Sequence, residues 1–167
     1  MINLLAKKKR NNFYEKIKDV NFKESIDAVK KYAKSKEESE KQKKYDNIIK
    51  NVNSEFLKLG NLIFQNRREE SEKSKSKPYL DEIFKFVKLL SEITKKDEGN
   101  DTELMVSICR NLDGLAEACN KASKATFSKL TIGAVLDDKR IKDEFARIRR
   151  EIIELTAEIE KVYLRSK

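Results

Sequence analysis

The chain has 167 residues, 40% of them charged, with a formal charge of +9, four glycines, one proline and no histidine or tryptophan. So few turn residues exclude the many tight turns of an all-β sandwich or barrel. The lack of imidazole removes Ser–His and Cys–His nucleophile pairs and the zinc sites that need histidine.

Charge is spread unevenly. Residues 1–50 hold fifteen Lys/Arg against eight Asp/Glu, whereas residues 51–100 hold ten against nine and residues 101–167 thirteen against twelve. The basic character belongs to the N-terminal third. There, Ile2, Leu4 and Leu5 precede Lys7, Lys8, Lys9 and Arg10, and Phe13, Tyr14 and Ile17 follow with Lys16 and Lys18 beside them. That order is the reverse of a secretory signal. The first acid is Glu15, which leaves a mitochondrial presequence as a lesser alternative to the cytosol. The longest apolar run, Ile132-Gly133-Ala134-Val135-Leu136, falls far short of the ~18 residues of a spanning helix.

Helical periodicity then recurs along the chain. Phe13, Ile17 and Val20 make a short stripe, and Phe22, Ile26, Val29 and Ala33 another. Asn21 with Glu24 reads as a capping box between them. Residues 34–44 offer nothing to bury and read as a linker or a solvated helical turn. Tyr45, Ile49, Val52, Phe56, Leu59 and Ile63 follow at spacings of four and three.

A polar run ends at Pro78, which suits the first turn of a helix because its missing N–H is no loss there. That helix carries Tyr79, Ile83, Phe86, Leu90 and Ile93, with Leu80 and Val87 widening its face. Gly99 is a natural stop, and Asn100 with Glu103 reads as a second capping box. Next come Leu104, Ile108, Leu112, Leu115, Cys119 and Ala122, among small residues that allow close helix approach.

The last helix is predicted over about residues 137–164, with a 4-3 seam of Ile141, Phe145, Ile148, Ile152, Leu155, Ile159 and Val162. Glu144, Glu151 and Glu158 flank the seam, with Lys142 and Arg149 on its other side, while Ile153 and Tyr163 add width. The pattern predicts an all-α, elongated antiparallel bundle of four to five helices. Residues 1–44 form a basic helical segment and residues 45–167 the bundle, the two making one unit with the first part packed or flexible. The 141–162 seam packs within the chain or between chains.

No catalytic motif emerges. The glycines stand singly, and the two cysteines, Cys109 and Cys119, lie ~15 Å apart on one helix, beyond disulfide reach. They read as small buried hydrophobes. Asp137-Asp138 reads as a helix N-cap with a favourable first-turn charge rather than as a metal or acid–base pair. No cofactor, metal or small-molecule substrate is expected.

Residues 84–93, Asn100, the run Leu104-x-x-x-Ile108-Cys109-x-x-Leu112-x-x-Leu115, the connector at 123–136 and Ile141-Lys142-Asp143-Glu144-Phe145-x-x-Ile148-x-x-x-Ile152 lie in a suggestive order. Over residues 79–163 the chain resembles the N-terminal four-helix-bundle domain of mixed-lineage kinase domain-like pseudokinases and the related fungal HeLo-type cell-death domains. The resemblance implies a membrane-permeabilising bundle that binds anionic phospholipids through basic faces.

The expected function is a non-enzymatic helical interaction or assembly module, acting through protein contacts or self-association along the seams at 45–63 and 141–162. The alternative is a membrane-surface binder. In it, Lys7, Lys8, Lys9, Arg10, Lys16 and Lys18 meet anionic lipid while the interleaved apolar residues enter the headgroup boundary. Non-specific nucleic-acid binding through the same cluster comes third, without any recognition motif to support it.

Overall fold

Phe22, Ile26 and Val29 recur at helical spacing, and they line the inner face of the first long helix, α1 (Lys23–Lys34). The computed structural model describes residues 15–69, 77–95, 101–124 and 132–164, which are helical nearly throughout, with no strand among them. After α1 come α2 (Glu38–Glu69), α3 (Lys77–Lys95), α4 (Asp101–Lys124) and α5 (Ile132–Ile159), the last closing in a wide π-helical turn (Glu160–Leu164). With 32 residues, α2 is ~48 Å long. The fold is an all-α bundle.

Pairings along the helices give their directions. Asn53 faces Thr94, Gly60 faces Val87 and Phe64 faces Phe84, so α2 and α3 run antiparallel. Phe86 faces Gly114 and Glu82 meets Lys121, so α3 and α4 do too. α5 packs along α4, and α1 packs on both α2 and α5. Ile17, Val20, Phe22, Ile26 and Val29 belong to the same apolar core as the buried residues of α2 to α5. The boundary expected at 44/45 falls inside α2.

Several faces are turned relative to the sequence reading. Ala33 is exposed, and Ala28 and Tyr32 face inward instead. On α2, Ile48 is fully buried while Ile49 is only half-buried, because α2 lies between α1 and α3 and needs a broad face. The inner row of α3 is Leu80, Ile83, Val87, Leu90 and Thr94, with Tyr79, Phe86 and Ile93 on its flank.

Two glycines make space rather than turns, since no described glycine has a positive φ. A methyl group on Gly114 would overlap the Phe86 ring, and one on Gly60 would stand 3.1 Å from Val87 Cγ1. Each lets α3 approach a neighbour closely.

Two helix starts differ from expectation. The last helix begins at Ile132 rather than near 137, so Asp137 and Asp138 lie inside it rather than at its N-cap. Leu130 and Thr131 fall outside the described residues, and the 123–136 connector is shortened by the turn of helix over 132–136. The Asn21–Glu24 capping box does not form. α1 has Phe22 at its N-cap position with no local side-chain cap. Pro78 is the second residue of α3, as its missing N–H predicts, whereas Gly99 and Asn100 lie outside the described residues.

Candidate functional site

A hydrogen-bonded junction joins the chain between residues 15 and 22 to α2 and α5. Residues 15–17 make one helical turn, and the Asp19 and Val20 N–H groups donate to the Lys16 and Ile17 carbonyls at 3.1 and 3.2 Å. The main chain that leads into α1 is then held by charges from elsewhere. Asn21 N–H donates to Glu55 Oε2 at 3.0 Å, and Phe22 N–H to Glu151 Oε1 at 2.7 Å. These carboxylates, one from α2 and one from α5, do the work of the missing local cap.

Arg147 completes the junction. Its guanidinium donates to Glu144 at 2.6 Å, to Glu151 at 2.7 Å and to the Ile17 carbonyl at 3.1 Å. Burial lowers its pKa, but hydrogen bonds to Glu144 and Glu151, with their negative charges, outweigh burial and hold it above its ordinary value. The sequence places Glu144 and Glu151 beside a seam and gives no prompt to look at Arg147 or Glu55. The spacing Glu144, Arg147, Glu151 does place all three on one helix face. Only the fold reveals that this face meets the chain entering α1.

Of the six cations expected to meet an anionic surface, Lys7, Lys8, Lys9 and Arg10 lie outside the described residues. Lys16 and Lys18 are both exposed. Lys18 stands 3.5 Å from Glu15. Lys16 lines an open groove of about 590 Å³ with Asp19, Lys58, Asn61 and Leu62, between the 15–19 turn and α2. Lys58 also pairs with Glu55 at 3.0 Å, so carboxylates sit among the groove's lysines.

The seam residues Ile141, Phe145, Ile148, Ile152, Leu155 and Ile159 are buried in the core of the single chain, with Val162 half-buried against it. The earlier seam at 45–63 is likewise turned inward. Ile153, expected to widen the last seam, is 45% exposed instead. The exposed large apolar side chains on α2 are Leu57 (42%) and Phe64 (45%), seven residues apart on one face. Phe64 stacks at a tilt on Phe84 of α3, with ring centroids 5.9 Å apart, and carries the apolar stripe across the helix junction.

Burial and the nearby charges of Glu160 and Asp113 push the Cys109 thiol up to about 12, and burial alone does the same to Cys119. Both stay protonated at neutral pH, in the state least suited to nucleophilic attack. Among the described residues, no cluster of three or more Cys, Asp or Glu side chains is placed to hold a metal ion. No described helix is long and apolar enough to cross a membrane.

No protein-family description, curated protein or solved structure matches the chain.

Proposed function

We propose that this chain is a non-enzymatic helical interaction module that works by contact with another protein surface, with a second copy of itself as the first partner to test. The observation that carries this reading is the pair Leu57 and Phe64, exposed on one face of α2, with the half-buried Phe84 of α3 against Phe64. Large apolar side chains gathered on one exposed face support a docking surface. The long 4-3 seams are consumed by the chain's own core, so they no longer serve as the contact surface in this reading.

Sedimentation velocity over a concentration series tests it. The wild type is expected to shift toward larger species, and the Leu57→Glu/Phe64→Glu variant to remain a monomer. Identical monomeric behaviour of both would remove self-association through this stripe.

A second reading rests on the groove of Lys16 and Lys58, with Lys16 a few residues along the sequence from Lys7, Lys8, Lys9 and Arg10. In that reading the N-terminal third holds the chain on an anionic membrane surface, and the cell-death resemblance of residues 79–163 adds a bundle that binds such lipids. It predicts sedimentation with anionic but not neutral liposomes, weakened by salt. Replacing Lys7, Lys8, Lys9 and Arg10 with Glu should abolish it. Equal recovery with both lipid types would sink it, and a DNA competitor that releases the protein would turn attention to nucleic acid.

A further inference from the structure

The break between α1 and α2 turns on one small polar residue, Ser35. Residues 34–44 read Lys-Ser-Lys-Glu-Glu-Ser-Glu-Lys-Gln-Lys-Lys, with no glycine or proline and mostly good helix formers. Only the short link at residues 35–37 interrupts the helix, and it does so with Ser35 extended at φ −76° and ψ 136°. Local preference therefore favours one continuous helix over residues 23–69, ~70 Å long. What bends the chain is tertiary. Phe22, Ile26 and Val29 are buried beneath α1, and the Phe22 ring packs on Phe56 with centroids 5.7 Å apart. Glu55, Glu151 and Arg147 hold the main chain at the far end.

We propose that α1 is exchanged between two copies of this chain, each copy seating the other's α1 in the cleft between its own α2 and α5. The proposal deepens the self-association reading but uses a different surface from the Leu57–Phe64 stripe. The cleft recognises two main-chain N–H groups, one carbonyl and a short apolar row. A second copy presents the same set, so every contact made within the chain is available between chains. Straightening the 35–37 link removes α1 from its own cleft and uncovers apolar core residues, Phe56 among them. A second α1 covers them again, while each hinge gains the helical conformation its sequence prefers. At low concentration the tethered α1 wins, because its effective concentration is high. Exchange appears when protein concentration is raised or the hinge is biased.

Two full-length hinge variants act in opposite directions. Ser35→Ala/Lys36→Ala raises helix propensity and removes the Ser35 hydroxyl that donates to the Lys31 carbonyl at 3.3 Å. Because two hinges respond together, dimerisation is expected to tighten about tenfold. Lys36→Pro forbids the straight helix and suits the bent one, since Ser35 already has the extended backbone that a residue before proline prefers. It should hold the chain monomeric with its helix content kept.

Lys30 Nζ and Glu154 Oε1 lie 3.9 Å apart across the α1–α5 contact, so they report where α1 sits. Ordinary and nitrogen-15-labelled protein are mixed, annealed near the unfolding midpoint and treated with a carbodiimide. Exchange yields Lys30–Glu154 links of mixed isotope in the wild type, more in the double-alanine variant and none in Lys36→Pro. Leu57→Glu/Phe64→Glu should leave the mixed links unchanged, which separates failure of the stripe from failure of exchange. Same-isotope links alone in the double-alanine variant, whether it is monomer or dimer, would overturn the proposal. So would loss of the mixed links in Leu57→Glu/Phe64→Glu.

Discussion

Ser25 sits on α1 with its side chain fully buried and its Oγ without a hydrogen-bond partner. A desolvated hydroxyl that makes no bond costs stability, and alanine is also the better helix former. Ser25→Ala is therefore expected to raise the unfolding free energy by ~1 kcal/mol, read from the urea midpoint at constant slope. The thiols titrate in the opposite sense to a stabilising carboxylate. Folding raises Cys109 and Cys119 from the ordinary 9.0 to about 12, chiefly by burial. Below the unfolded value the preference for the protonated fold is complete, and it is lost as pH rises from there toward the folded value. Stability should thus fall more steeply above pH 9 in the wild type than in Cys109→Ala/Cys119→Ala, once each is referred to its own value at neutral pH. Parallel curves would show that the two thiols do not carry the alkaline loss.

At the scale of elements, two kinds of contact decide how the helices meet. Gly114 lets the Phe86 ring lie against α4, so Gly114→Ala trades a propensity gain of ~1 kcal/mol against an overpacking cost of ~1–3 kcal/mol. Net destabilisation is expected, and it should reverse in a Phe86→Ala background, where the ring is gone. Failure of that double-mutant cycle to show coupling would mean the ring turns aside freely. The second kind is electrostatic. Glu151 is 6% exposed and accepts from both Phe22 N–H and Arg147. Glu151→Ala leaves a buried amide unpaired and Arg147 short of one carboxylate, at a cost of ~3 kcal/mol. Glu151→Gln keeps an acceptor for the amide and should lose less. Hydrogen exchange should speed up first at the amides of α1, because that is the element the junction holds.

For the whole molecule, the arrangement is a bundle whose last wall is supplied by the first described helix. α1 lies against both α2 and α5, and Phe22 is its main apolar anchor. Phe22→Ala should cost ~3–5 kcal/mol and loosen α1 before the α3–α4 contact gives way. Probes in the two regions would then unfold at different denaturant concentrations. A single coincident transition would instead mark all five helices as one cooperative unit.

Composition and period make the helical class legible in the sequence, because few glycines and prolines and a 3.6-residue apolar period leave little else for the chain to form. That Ile141, Phe145, Ile148, Ile152, Leu155 and Ile159 share one apolar face was also readable, since periodicity is a property of one helix, whereas their burial within the single chain was one of two readings left open. What periodicity leaves open is which neighbour fills a face and how far that face turns. Ile153 was expected to widen the seam and is exposed. Ala33 was expected inside and faces out, while Tyr32 faces in. The N-cap of α1 shows the limit most clearly. Sequence proximity pointed to Glu24, but the main chain there is met by Glu55 and Glu151, 34 and 129 residues away from their partners. Local sequence determined the helices and their apolar stripes, because those depend on residues a turn apart. The tertiary fold alone decided the α1 junction, because its hydrogen bonds join groups that only packing brings together.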